Sequence, residues 1–140
     1  MRGFTVGLLS VVAIAVSGCS LMAPNSTSTP KVELTGAAWI AEDVDGAGVI
    51  DDAQSTLEFG TDGKVSGRGG CNRYGGSVSL SGASMIVGEL FSTKMACVPA
   101  LMDQETKFLA ALQATRSYRM DDTKLVLVDA TGKARLRFSR

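Results

Sequence analysis

Residues 67 to 76 read GRGGCNRYGG, and this stretch sets the geometry of the chain around it. Five of the ten residues are glycine, a composition that favours positive φ angles, tight turns and close approach by other backbone segments. A phosphate-binding loop is the functional alternative. No Gly-Lys-Ser/Thr sequence follows the stretch and no helix is predicted to begin there. We therefore predict a structural turn.

Strand patterns lie on both sides of this turn. In residues 55–59, Leu57 and Phe59 share one face while Thr56 and Glu58 share the other, an alternation typical of a half-buried strand. Turn residues such as Thr61-Asp62-Gly63-Lys64 separate several of the candidate strands. Further strands are predicted at 38–44, 65–66, 77–80, 85–90, 124–129 and 135–138.

One helix is predicted between these strands. Pro99 suits the first helical position, and apolar residues then recur at spacings of three and four until a stop before Ser117. The apolar stripe consists of Leu101, Met102, Phe108, Leu109 and Leu112. Strands, one helix and further strands predict an α+β domain, in which a strongly curved antiparallel sheet, or partly open barrel, packs around the helix.

An acidic residue lies in the middle of this apolar stripe. At about 100° per residue, Glu105 projects between Phe108, Leu109 and Leu112. A buried carboxylate without partners costs several kcal/mol, so we predict that Glu105 accepts hydrogen bonds from backbone N–H groups or from Asn72, Arg73 or Thr93. Two alternatives stay open: Glu105 is a general base in a cavity, or the helix is rotated and the carboxylate reaches solvent.

Residues 1–18 are predicted to be a signal peptide. Val6 to Val16 is an apolar run of 11 residues, whereas a membrane-spanning helix needs about 20. The run ends in Val16-Ser17-Gly18-Cys19, which resembles the bacterial lipobox, so Cys19 is predicted to carry a lipid. A buried N-terminal helix with an incidental cysteine is the alternative.

Residues 19–31 are predicted to be a lipidated flexible tether, because SLMAPNSTSTP is rich in Ser, Thr and Pro and has no apolar periodicity. The lipid would hold the protein on a membrane, and a globular domain would occupy residues 32–140. Ser20, in place of Asp, follows the lipidated cysteine, which resembles outer-membrane sorting. We expect a bacterial cell-envelope protein, anchored in the outer membrane and facing the periplasm.

Composition narrows the function classes. The chain has 14 basic and 14 acidic residues, and removal of a signal containing Arg2 leaves a net charge of −1, so it lacks the basic footprint of a nucleic-acid-binding protein. Histidine, the commonest general base and metal ligand, is absent. Ser92 and Lys94 match a hydrolase pattern only weakly, with no oxyanion-hole motif. The domain is predicted to be non-enzymatic, with no cofactor and no metal.

Four aspartates, at positions 43, 45, 51 and 52, suggest a calcium loop as an alternative for this region. However, Ala47 stands where a ligand is needed and Gln54 replaces the closing glutamate. A solvated loop is the prediction.

Several motifs together resemble the META/HslJ-like domain family over about residues 34–139. They are GRGGCNRYGG, then FSTKMAC at 91–97, then the helix with Glu105, flanked in order by GAAW, STLEF and KLVLVD…ARLRF. The resemblance implies strands wrapped around one helix, often on lipoproteins, and no catalytic residues, since the family is named for heat-shock association and parasite virulence. Its structural motif falls here on Gly70, Asn72, Arg73, Thr93, Lys94 and Glu105, with Lys94 at a position where Arg is common.

Lipidation of Cys19 would leave Cys71 and Cys97 as a pair in an oxidising compartment, so a disulfide is predicted, with two buried free thiols as the alternative. The predicted function is that of a non-enzymatic envelope lipoprotein, which binds an unknown envelope protein or supports stress tolerance. The alternative is a carrier of a lipid or small apolar ligand in a barrel-like cavity. A barrel filled by side chains would favour the first hypothesis, and an empty apolar barrel the second.

Overall fold

The computed structural model describes residues 33–140. The predicted signal peptide, the predicted lipidation site Cys19 and the predicted tether lie outside this range. Nine strands and one helix follow one another in it. They are β1 (Trp39–Val44), β2 (Ala47–Gly48), β3 (Thr56–Phe59), β4 (Lys64–Arg68), β5 (Arg73–Ser81), β6 (Ser84–Ser92), α1 (Pro99–Ala114), β7 (Thr115–Asp121), β8 (Lys124–Asp129) and β9 (Ala134–Ser139).

Eight of the strands form a closed antiparallel barrel. Neighbours pair in the order β1-β3-β4-β5-β6-β7-β8-β9, and β9 returns to β1, where Phe138 is the partner of Ala41. The two-residue β2 pairs only with β1 at the edge. The predicted α+β class, a curved antiparallel sheet packed around one helix, is confirmed. The sheet closes through β1 and β9, where the sequence suggested a partly open barrel.

The contact between β6 and β7 is the shortest in the barrel wall. Within residues 33–140 these strands share one partner pair, Ser84 and Ser117, extended by a bond from the Tyr118 N–H to the Ala83 carbonyl at 3.0 Å. Helix α1 leads from the opposite end of β6 to the start of β7 and packs against β6 on the way. The helix also packs against β1, β8 and β9, so it contacts several strands of the barrel.

Helix α1 begins at the predicted proline and ends before Ser117, as predicted. Its buried face differs from the predicted stripe, because Leu101, Met102 and Leu109 are only half-buried. The buried residues are Gln104, Glu105, Phe108, Ala111 and Leu112. Gln104 and Glu105 occupy this face because the loops at 50–53 and 71–72 supply their hydrogen-bond partners. No helix in residues 33–140 has the length and apolar character needed to cross a bilayer.

The interior of the barrel is filled by side chains. Phe108 of α1 lies between two aromatic rings in edge contact, with centroids 5.7 Å from Tyr74 and 6.1 Å from Phe138. Trp39 and Leu57, which are direct partners on β1 and β3, are fully buried in the same cluster. Such packing leaves the helix no freedom to rotate, so it fixes the side chains that α1 presents to the adjoining loops.

Candidate functional site

Glu105 is buried, with 5% of its surface exposed, and three N–H groups hold its carboxylate. Its Oε2 atom accepts hydrogen bonds from the backbone N–H groups of Cys71, at 3.0 Å, and of Asn72. Its Oε1 atom accepts one from the side-chain amide of Asn72 at 2.8 Å. Both oxygens of the carboxylate thus accept hydrogen bonds in a buried position, and the alternative in which it reaches solvent does not apply. Its role is to join the glycine-rich segment to the helix.

Asn72 continues this connection to the segment after β6. Its Oδ1 atom accepts hydrogen bonds from the Thr93 hydroxyl at 3.0 Å and from the Met95 N–H at 2.7 Å. Its Nδ2 atom donates to the Met95 carbonyl at 3.3 Å as well as to Glu105. Because Asn72 is almost wholly buried, these bonds have little competition from water. One amide side chain therefore fixes both the helix and the 93–95 loop.

The remaining motif residues lie around this centre. Arg73 contributes its backbone, since its N–H donates to the Thr93 hydroxyl at 3.3 Å and its carbonyl accepts from the Thr93 N–H at 3.0 Å, while its side chain is exposed. Lys94 is exposed as well. Gly70 is buried with a φ of 140°, a region that only glycine adopts easily. The structure thus gathers all six motif residues at one end of the barrel.

Cys71 and Cys97 form the predicted disulfide, with an S–S distance of 1.98 Å and a Cα–Cα distance of 6.0 Å. The bond joins the glycine-rich segment to the residue two positions before α1. It therefore ties together the same two loops that Asn72 connects by hydrogen bonds, and it lies next to the Glu105 carboxylate.

Gln104 is a second buried polar residue on the helix, and the sequence patterns did not single it out. Its Oε1 atom accepts a hydrogen bond from the Ile50 N–H at 2.8 Å. Its Nε2 atom donates to the Ala53 carbonyl at 2.8 Å and to the Ser55 hydroxyl at 3.2 Å. Ser55 in turn donates to the Gly69 carbonyl at 2.7 Å. The loop before β3, predicted to be a solvated loop, is thus held against the helix by this amide.

Tyr74, next to the motif, is buried with its ring against Phe108. Its hydroxyl donates to the Thr56 carbonyl at 2.6 Å. Burial, and to a lesser extent the nearby Glu58 carboxylate, raise the pKa of Tyr74 well above its usual range. The phenol therefore stays protonated at physiological pH and acts as a hydrogen-bond donor between β3 and β5.

A groove of about 470 Å³ lies beside this polar centre, between α1 and the 92–96 segment. Its helix side is lined by Met102, Thr106, Leu109, Ala110 and Gln113, and its other side by Ser92, Thr93, Lys94, Met95 and Ala96, with Asn72 and Glu105 between them. Met95 is 56% exposed, and Val98, which directly precedes the helix, is 62% exposed. The groove is on the surface, outside the filled barrel.

Two of the aspartates considered for a calcium loop have partners within the chain, and the two residues considered for a hydrolase are not bonded to each other. The Asp43 carboxylate accepts a hydrogen bond from the Gly46 N–H at 2.7 Å, and Asp45 is paired with Arg135. In the part of the chain that the structure describes, no three ligand-type side chains are placed to hold a metal ion. Ser92 and Lys94 both line the groove. No hydrogen bond joins their side chains within residues 33–140.

Comparison with known proteins gives two kinds of match. The family model of the META domain matches residues 32–140. A protein from Burkholderia xenovorans, solved by NMR, is 30% identical, with 76% of this chain and 83% of that chain covered and a TM-score of 0.59. A second NMR structure is 25% identical, with 76% and 90% covered and a TM-score of 0.61. No curated protein gave a significant match.

Proposed function

Because the chain belongs to the META domain family, whose name specifies no reaction, we propose from its own surface that it is a non-enzymatic lipoprotein of the bacterial cell envelope. In this proposal Cys19 carries the lipid, the outer membrane holds the anchor, and the domain binds another envelope protein in the periplasm. The groove between α1 and the 92–96 segment is the proposed binding surface.

The exposed apolar rim of this groove is the observation that carries the proposal. Met95 is more than half exposed although its backbone is fixed by Asn72 on both its N–H and its carbonyl. Val98 follows Met95 by three positions, lies outside the lining and is still more exposed. The helix lines the other side of the groove with Met102 and Leu109. Large apolar side chains held rigidly in water are typical of protein-binding surfaces, where methionine is enriched.

The chemistry of the groove supports a binding role over a catalytic one. Glu105 is the only carboxylate in the lining, and both of its oxygens accept hydrogen bonds from fixed N–H groups. A general base must come within hydrogen-bond reach of a substrate proton, whereas only 5% of the Glu105 surface is exposed. Lys94 lies in the lining with no acid within ion-pair distance in residues 33–140, which suits recognition of a partner better than proton transfer.

The packed barrel gives the carrier alternative less support. Phe108, Phe138 and Leu112 occupy the interior and are fully buried, so an apolar ligand would have to displace side chains that are already in contact. The groove itself is open and partly polar, whereas ligand sites usually enclose most of the ligand's surface.

Copurification of the lipidated protein from its native membranes tests the proposal, with mass spectrometry of both proteins and lipids. Met95→Ser with Val98→Ser should remove a specific partner protein that the parent retains. Leu80→Ser with Ile86→Ser is the matched control, because these two apolar residues are also exposed but lie on the β5–β6 hairpin. Retention of the same proteins by both double variants contradicts the proposal, and a stoichiometric lipid without a protein would favour a carrier.

A further inference from the structure

A pair of arginines lies on the outside of the barrel at the end where β4 finishes and β5 begins. Arg68 and Arg73 are direct partners in the β4–β5 register, and both side chains are exposed. Residues directly opposite each other on antiparallel strands point to the same face, with Cβ atoms about 5 Å apart. Two like charges are thus held next to each other, an arrangement that destabilises the sheet unless an anion is present.

Acids on the chain do not neutralise this pair. Within residues 33–140 no carboxylate lies within 4.0 Å of either guanidinium, whereas Arg119 and Arg137 on β7 and β9 both contact Asp121, at 3.9 and 3.4 Å. Glu58 on β3 is the acid nearest to the pair in the strand register. It lies opposite Ser66, which precedes Arg68 by two positions. The local excess of positive charge is not a consequence of a basic protein, because the chain has no net charge.

Neighbouring groups make the pair suitable for an organic phosphate. The Thr56 hydroxyl accepts a hydrogen bond from the Arg68 N–H, which leaves its own hydrogen free to donate outward. Phe91, 73% exposed, is opposite Gly75, and its ring covers the space that a side chain at Gly75 would occupy. Gly75 follows Arg73 by two positions, so the ring and the guanidinium lie on the same face of β5.

We propose that Arg68 and Arg73 form a binding site for a phosphate-type oxyanion that carries an organic group. Each guanidinium offers parallel N–H donors that match two oxygens of a phosphate, and two adjacent cations suit a group of nearly two negative charges. The organic part would lie against the Phe91 ring. The group can belong to a lipid headgroup or to a soluble phosphate, since both present the same oxygens.

NMR titration of the full-length lipidated chain in neutral detergent micelles tests this site. Inorganic phosphate, a short-chain phosphatidic acid and a short-chain phosphatidylcholine are added in turn, and the Arg68 and Arg73 side-chain Nε–H signals are followed. We expect inorganic phosphate and phosphatidic acid to shift these signals. We expect phosphatidylcholine, in which choline esterifies and neutralises the phosphate, to leave them unchanged. Tighter binding of phosphatidic acid than of inorganic phosphate supports a lipid headgroup as the source. Equal or weaker binding means that the organic group gains nothing from the Phe91 ring, which leaves a site for soluble inorganic phosphate and overturns the organic part of the proposal.

The double variant Arg68→Gln with Arg73→Gln should weaken phosphate binding by about tenfold or more, because both guanidinium groups are lost. Arg119→Gln with Arg137→Gln is the control, since it removes the same charge from an exposed arginine pair that already has an acid. Equal weakening in both variants means that net charge alone attracts the anion and overturns the proposal. Absence of any shift with either phosphate compound overturns it as well. The Met95 and Val98 variants leave this site unchanged, so the two proposals fail independently.

Discussion

Glu105 is the helix residue whose side chain satisfies the buried N–H groups of the glycine-rich segment. Replacing it by leucine would leave the N–H groups of Cys71 and Asn72 without an acceptor, and each stranded donor costs about 1–3 kcal/mol. Glu105→Gln keeps one acceptor oxygen and should cost less than Glu105→Leu. The free energy of unfolding from denaturant titration measures both, with the exposed Glu89→Gln as control. A Glu105→Leu protein that unfolds at the parent's midpoint or above it contradicts this role.

Gly69 is constrained by the same carboxylate. A Cβ atom at this position would lie 2.7 Å from Glu105 Cγ, closer than Cβ atoms come to other atoms, and 3.0 Å from Oε2, which is also tight. We expect Gly69→Ala to lower the free energy of unfolding by about 1–3 kcal/mol, because the helix residue cannot withdraw without breaking its bonds. Gly48→Ala is the matched control, since its Cβ would meet nothing within 4 Å. Equal stabilities of the two alanine variants in thermal unfolding would disprove the steric account.

The β8–β9 hairpin has an acid at the start of its turn. Asp129 Oδ1 accepts hydrogen bonds from the Thr131 hydroxyl at 2.6 Å, the Thr131 N–H at 2.9 Å and the Lys133 N–H at 3.1 Å. The Thr131 hydroxyl is the largest of the causes that lower the pKa of Asp129 to about 2. Since the unfolded chain has the higher pKa, this carboxylate stabilises the fold above about pH 4, and its contribution is lost as the pH falls towards 2.

Asp129→Asn removes this pH dependence, because the amide has no charge to lose. The difference in free energy of unfolding between parent and variant should be constant above about pH 5 and should shrink steadily between pH 4 and pH 2. Asp62→Asn serves as control, because Asp62 makes only an exposed ion pair with Lys64 at 3.7 Å. A difference that does not change with pH across this range would contradict the assignment to Asp129.

The disulfide joins two loops that the sheet alone does not pair. Cys71 and Cys97 are 26 positions apart, and closing a loop of this length stabilises a fold by about 3.5 kcal/mol in the chain-entropy treatment. Cys71→Ala with Cys97→Ala should therefore unfold at a lower denaturant concentration but still fold, because Glu105 and Asn72 continue to connect the loops. Addition of a reductant should lower the parent's midpoint to a similar extent and leave the variant's midpoint unchanged. A parent that does not respond to reductant rules out a stabilising bridge.

The elements differ in how far the sequence determines them. Helix α1 is predictable because Pro99 and the apolar spacing are local signals, whereas its rotation depends on partners that Gln104 finds fifty residues away. Strand β7 has only a weak pattern, since Tyr118 and Met120 alone alternate with polar residues in TRSYRMD and most of its side chains are half-buried or exposed. The start of β5 is hidden because glycines that favour turns occupy it, and only cross-strand contacts with Phe91 and Leu90 make it a strand.

The candidate site also has parts that the sequence predicts and parts that it does not. Glu105, Asn72 and the cysteines can be found from the sequence, because a charge in an apolar stripe and an even pair of cysteines both demand partners. The groove and the arginine pair cannot, since they depend on the register that places Arg68 opposite Arg73 and on the loop that holds Met95 outward. Closure of the barrel is likewise a property of the whole sheet, set when β9 meets β1.

Attachment of the whole molecule to a membrane depends, in our proposal, on one thiol. The apolar run before Cys19 is shorter than a bilayer-spanning helix, and no helix in residues 33–140 is long and apolar enough to cross a membrane. Cys19→Ser should therefore abolish incorporation of labelled fatty acid and leave an uncleaved precursor, which a mobility shift on a gel detects. Cys71→Ser is the matched control, because it also replaces a cysteine by serine but should leave acylation and processing intact. A Cys19→Ser protein of mature size that still carries labelled acyl chains would show that another residue, or another route, holds the domain at the membrane.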